Sequence, residues 1–115
     1  MRPSDPETAA TVDAVLSALA DPTRRRLLDA IAARGKATAT DLAADFPITR
    51  QAVVKHLAVL HEAGLVIGGR RGREVRYAVR PDRLDLTAQW MADLAADWDR
   101  RLAALKRVAE SEWQR

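Results

Sequence analysis

The stretch TATDLAADFPITRQAVVKHLAVLHEAGLV, residues 38–66, holds two short helical patterns only a few residues apart. Thr38-Ala39-Thr40-Asp41 is a capping box with Asp in the place of Glu, and it opens a helix through Leu42 and Phe46 that Pro47 ends. Thr49 caps the next helix, residues 50–63, whose Val53, Leu57 and Leu60 recur at helical spacing until Gly64 stops it. A short helix, a tight turn and a second helix form a helix-turn-helix, here about 38–64.

The residues after Gly64 are of another kind. Leu65-Val66-Ile67 is a β-type run, and Val75, Tyr77 and Val79 alternate with Glu74, Arg76 and Ala78 at period two. Between them stands Gly68-Gly69-Arg70-Arg71-Gly72-Arg73, a tip rich in glycine and arginine. A β-hairpin over about 65–80, placed directly after a helix-turn-helix, is the wing of a winged helix. The fold class is therefore mainly α with a small β-hairpin, in a single domain spanning 1–115.

Outward from this centre the chain is helical on both sides. Asp5-Pro6 and Asp21-Pro22 each carry the start signal of a helix. The first helix has one apolar stripe, Val12, Val15, Leu16 and Leu19, and the second turns Leu27, Leu28 and Ile31 inward before Gly35 stops it. Arg24-Arg25-Arg26 reads as a surface run. The last helix, about 83–113, aligns Trp90, Met91, Leu94, Trp98, Leu102, Leu105 and Val108 on one stripe, opposite Gln89, Asp93, Arg100 and Arg107. Thirty helical residues extend ~45 Å at 1.5 Å per residue. A compact domain of this length has a radius of gyration of about 13 Å, so its own domain cannot cover the whole stripe. The reading is of long N- and C-terminal dimerisation helices, with Val12, Leu16, Leu19, Trp90, Leu94, Trp98, Leu102 and Leu105 at a homodimer interface.

The net charge of +3 conceals its distribution. Residues 46–80 carry Arg50, Lys55, Arg70, Arg71, Arg73, Arg76 and Arg80 against Glu62 and Glu74, while the flanking thirds are each slightly acidic. A localised basic block of this kind is the footprint of a nucleic-acid binder. On the helical wheel, residues 50–63 set Gln51, Lys55 and Ala58 opposite the apolar seam, flanked by Arg50 and Val54. In a major groove, Gln pairs with adenine N6 and N7, and Arg or Lys with guanine O6 and N7. Val54 suits a thymine methyl, and small Ala58 permits close approach. The first residues of a recognition helix usually meet the bases, which favours Arg50, Gln51 and Val54, with Lys55 as readily a phosphate contact. Arg70, Arg71 and Arg73 suit phosphates or a narrow minor groove. His56 hydrogen-bonds at the core's edge or reaches a phosphate, and is counted with this DNA-facing set.

Three stretches, ALADPTRRRLLDAI, TATDLAADFPITRQAVVKHLAVLHEAGLV and RRGREVRYAV, together resemble the ArsR/SmtB family of bacterial winged-helix repressors. The resemblance covers roughly residues 15–80, and the long final helix fits it. It implies a homodimer that binds an imperfect inverted repeat near its own promoter and represses transcription. It also implies that Arg50, Gln51, Val54 and Lys55 are the recognition positions. The family's metal sensors use cysteines on the third helix, or Asp, His and Glu on the last. Here the matching stretch is TATDLAADF and the last helix has no histidine, so the chain looks like the cysteine-less branch, whose signals are varied.

No cofactor, metal or catalytic constellation is expected. The chain has no cysteine. His56 and His61 are five residues apart and point roughly 140° apart on a helix, poor geometry for one metal. Asp93 and Asp97 share a helix face, as solvated acids usually do. The N-terminus, Met1-Arg2-Pro3-Ser4-Asp5-Pro6-Glu7, shows no signal peptide, and no segment approaches the roughly 20 apolar residues of a membrane span, so a cytoplasmic, non-enzymatic protein is expected. Two other readings stay open. One is a winged helix serving only protein interaction, which would want an apolar recognition face. The other is a sensor holding a small-molecule effector between subunits.

Overall fold

A computed structural model describes residues 5–113; the first four residues of the stretch read for a leader lie outside it. The elements run α1 (Pro6–Leu19), α2 (Pro22–Arg34), α3 (Ala39–Asp45), α4 (Arg50–Glu62), β1 (Val66–Arg71), β2 (Glu74–Val79) and α5 (Asp82–Trp113). Local chemistry sets most boundaries. The Asp21 carboxylate accepts the amides of Thr23 at 2.7 Å and Arg24 at 3.2 Å, occupying two donors that the start of α2 leaves without helical partners. Thr38 and Asp41 exchange both bonds of the capping box at 3.0 Å each. Thr49 accepts the Ala52 amide at 3.1 Å to open α4.

Two residues of the arginine run are structural, against the surface reading. Arg24 donates its Nε to the Ala18 carbonyl at 2.7 Å and an Nη to Ser17 at 3.2 Å, and Arg25 donates to the Leu19 carbonyl. The second helix thereby satisfies the carbonyls that the end of α1 leaves open. Around this corner Val15, Leu27, Ile31, Leu42, Val53, Leu57, Leu60 and Leu65 form one buried core, with Leu19, Phe46, Ile48, Tyr77, Val79 and Leu84 packed at its edge.

The hairpin is longer and its tip tighter than the composition suggests. β1 and β2 pair antiparallel from Val66↔Val79 through Arg71↔Glu74, so Gly68, Gly69, Arg70 and Arg71 belong to a strand. Only Gly72 and Arg73 make the turn, with Gly72 at φ +64 in the first turn position, as a type II′ turn requires. Ala37, between α2 and α3, adds a third edge. Its N–H donates to Tyr77 O at 3.0 Å and the Tyr77 N–H returns to Ala37 O at 2.8 Å.

α5 leaves the domain. Its first turns pack on α1, where Thr87 is buried and Trp90 half-buried. Beyond them Met91, Leu94, Trp98, Leu102, Leu105 and Val108 are all exposed on the same stripe. The molecule measures 75 × 31 × 20 Å with a radius of gyration of 19.9 Å, against about 13 Å for a compact chain of this length. The structure corrects one expected interface residue. Val12 is 1 % exposed, because α1 uses its inner stripe of Thr8, Val12 and Val15 within its own protomer. Leu19 is half-buried against the core, whereas Leu16 remains exposed. Among the described residues, no helix is long and apolar enough to cross a membrane.

Candidate nucleic-acid interface

The burial of Val53, Leu57 and Leu60 fixes the orientation of α4, and everything else about its outer face derives from it. Gln51, Lys55 and Ala58 point away from the core into solvent. Arg50 and Val54 occupy the flank nearer the hairpin, and Val54 is exposed despite being apolar. Arg50 Nε donates to Thr40 Oγ1 at 3.2 Å, which ties the first residue of α4 to the first turn of α3. His56 does not join them. It is half-buried on the opposite flank with Ala52 and Val59, near the start of α2. There the Asp21 carboxyl lies below its ordinary pKa, chiefly because it accepts the Arg24 amide, with the charges of Arg24 and His56 adding smaller attractions.

The hairpin lies alongside α4 and extends the same surface. One groove is lined by Thr38, Thr40, Arg50, Val54, Arg73 and Tyr77, and so joins α3, the start of α4 and the wing tip. A neighbouring groove between α4 and the inner face of the hairpin runs past Val54, Ala58, His61, Val75 and Tyr77. Arg70 and Arg71 project from the end of β1 beside this tip. The basic block is only partly neutralised. Arg76 lies 3.9 Å from Glu74 and Arg80 3.5 Å from Asp82, but among the described residues Arg50, Lys55, Arg70, Arg71 and Arg73 enter no ion pair.

A helix with a polar, cationic outer face, shared with a cationic wing tip, is DNA-binding architecture, and the comparisons with known proteins agree. A family model described as a helix-turn-helix domain matches residues 19–68. The transcriptional repressor SdpR of Bacillus subtilis is 32 % identical over 88 residues, which span 76 % of this chain and 97 % of that protein. The HTH-type transcriptional regulator CmtR of Mycobacterium tuberculosis is 39 % identical over 97 residues, 83 % of this chain and 80 % of CmtR. Among solved structures, an ArsR-like transcriptional regulator from Rhodococcus sp. RHA1 superposes with a TM-score of 0.81 at 41 % identity, covering 90 % of this chain and 96 % of that one. This chain belongs to the ArsR family of transcriptional regulators.

As an ArsR-family regulator it carries its DNA-binding function on the helix-turn-helix formed by α3 and α4, followed by the wing. It has no cysteine, and no group of three His, Cys, Asp or Glu among the described residues is arranged to hold a metal ion. Thr40 carries no signal in the sequence. Its value lies in a bond to Arg50 ten residues later, across the turn, which no single-helix periodicity reports. Lys36 carries none either and Arg76 only its place in the basic block, and the hairpin pairing brings them to one surface.

Proposed function

We propose that this ArsR-family protein is a homodimeric repressor that binds an inverted-repeat operator. Two α4 helices enter successive major grooves about 34 Å apart. Arg50, Gln51 and Val54 meet base edges, Lys55 a base or phosphate, and Arg70, Arg71 and Arg73 the backbone or minor groove. The observation that supports this reading is the shared groove, which Arg50 and Val54 of α4 and Arg73 of the wing tip all line. A duplex seated there meets helix and wing together. The exposed stripe of α5 supplies the dimer contact, with Trp98 presenting a face over which the Arg101 guanidinium lies 5.1 Å from the ring centroid. A module for protein interaction alone would want an apolar α4 face, and Gln51 and Lys55 oppose it.

The test is binding of the purified protein to its own upstream DNA and to a scrambled duplex across a salt series. Preference for the upstream sequence, with log affinity falling steeply against log salt, supports the reading. Arg71→Gln with Arg73→Gln should weaken both duplexes alike and flatten the slope by ~0.9 for each phosphate that is no longer neutralised. Equal, salt-insensitive binding to both duplexes would overturn sequence-specific regulation.

A further inference from the structure

The hairpin has a second face, turned away from α4, that meets the groove shared by helix and wing tip only at Glu74. Ile67, Gly69 and Arg71 of β1 alternate onto it, and across the ladder so do Glu74, Arg76 and Ala78 of β2, with Glu74 paired opposite Arg71. Lys36 joins them because its neighbour Ala37 is bonded in both directions to Tyr77, which holds the α2–α3 connection against the free edge of β2. An open groove on this side is lined by Lys36, Arg70, Arg71 and Arg76 together with Gly68 and Gly69, and no acid lines it. Glu74, the acid of this face, stands opposite Arg71 and meets Arg76 only at 3.9 Å with both side chains well exposed, so the cations outnumber it.

The floor of this groove is the informative part. Glycine inside a strand weakens it, and it commonly marks a close approach by another molecule or a bulge. Gly68 has a reason within the protomer, since a Cβ there would stand 3.0 Å from Val75 Cγ1. Gly69 has none of that kind. Its φ is not positive, the ladder continues regularly through it, and a Cβ there would meet nothing nearer than the Arg76 carbonyl at 4.0 Å. Neither backbone geometry nor internal packing requires glycine at this position. Bare backbone flanked by Lys36, Arg71 and Arg76, against the single acid Glu74, is a seat for an anionic group that comes close.

We propose that the outer face of the wing, with Gly69 as its floor and Lys36, Arg71 and Arg76 as its walls, binds the phosphate backbone of DNA beyond the segment engaged by α4. The inference rests on the DNA-binding reading above and extends it. A duplex held by α4 and the wing tip continues past the hairpin, and the face turned from α4 confronts its next phosphates. The contact carries no base information, so it lengthens the footprint and strengthens the salt dependence without changing the preferred sequence.

The test uses the full chain with Lys36→Gln and Arg76→Gln together, and separately Gly69→Leu, which blocks the floor while keeping every charge. Each is compared with wild type on a duplex trimmed to the preferred site and on the same site extended by about 10 bp on each side. On the extended duplex the double variant should flatten the log–log salt slope by ~0.9 per cation removed, twice that when both subunits of a dimer engage. Gly69→Leu should weaken binding there as well. Both variants should match wild type on the trimmed duplex. Equal losses on both duplexes, or no loss on either, would overturn the proposal while the operator reading stands. Failure of the wild type to prefer its site on either duplex would instead remove the reading beneath it. Circular dichroism and a thermal melt of each variant separate these results from misfolding.

Discussion

The exposed half of α5 allows the dimer to be tested at a stated magnitude. Leu102 and Leu105 are 56 % and 65 % exposed in the protomer, so little of either is held by its own chain. Replacing each by Ala removes three carbons and keeps the best helix former, so α5 itself should persist. At ~0.8 kcal/mol per buried CH₂, and with roughly 60 % of each side chain still available for burial, each leucine contributes about 1.4 kcal/mol to association. A symmetric dimer contains four such leucines, which sums to ~6 kcal/mol at full burial, or about four decades in the dimer Kd. Sedimentation equilibrium on the Leu102→Ala/Leu105→Ala variant should show a monomer where wild type is dimeric, with unchanged far-ultraviolet dichroism. Arg107→Ala, on the opposite face, should leave the dimer intact. A double variant that dimerises as tightly as wild type would refute the assignment of this stripe to the partner.

Three further outcomes separate roles that the sequence does not distinguish. Gln51→Ala should relax sequence preference by ~1–3 kcal/mol, measured as the affinity ratio between preferred and scrambled duplexes, and an equal loss on both would show that Gln51 does not read bases. Arg24→Ala should lower stability by about 1.5–3 kcal/mol in urea at fixed protein concentration, since it leaves the Ala18 and Ser17 carbonyls without their charged donor, while Arg26→Ala should stay within ~0.5 kcal/mol; similar effects would contradict the corner assigned to Arg24. Asp21 and Asp41 have carboxyls held below the ordinary 3.8, Asp21 chiefly by the Arg24 amide and Asp41 chiefly by the Thr38 amide, so their contribution is present above that value and is lost as pH falls through the lowered pKa. Asp21→Asn with Asp41→Asn keeps both acceptors and removes both charges, so the fall in stability below about pH 4 should become shallower, and an unchanged acid limb would count against these caps.

The parts of this fold that are legible in the sequence are those decided within a few residues. Thr38 and Asp41, Thr49, and the Asp21-Pro22 pair announce their helix starts because a cap is a contact over three positions. The parts that are not legible depend on distant neighbours. Arg24, Arg25 and Arg26 are identical in kind and adjacent, yet the first two reach back six or seven residues across a turn while Arg26 stays exposed. Gly68-Gly69 suggests a loop by composition, but each glycine has a paired residue opposite, so the strand runs through them.

The same limit governs both proposed surfaces. Periodicity states that one face of a helix is apolar, and it is silent on what covers that face. Val12 and Leu16 belong to one stripe of α1, yet the first is buried within the protomer and the second is exposed. On α5 the stripe is continuous from Trp90 to Val108, and the boundary between its covered and its exposed part falls where the helix outruns its own domain, just beyond Trp90. That boundary comes from setting the ~48 Å of a 32-residue helix against the size of the domain beneath it, two lengths that residue counts alone supply. Lys36 and Arg76 offer no such route. They are forty residues apart, and only the pairing of Ala37 with Tyr77 makes them neighbours on one groove.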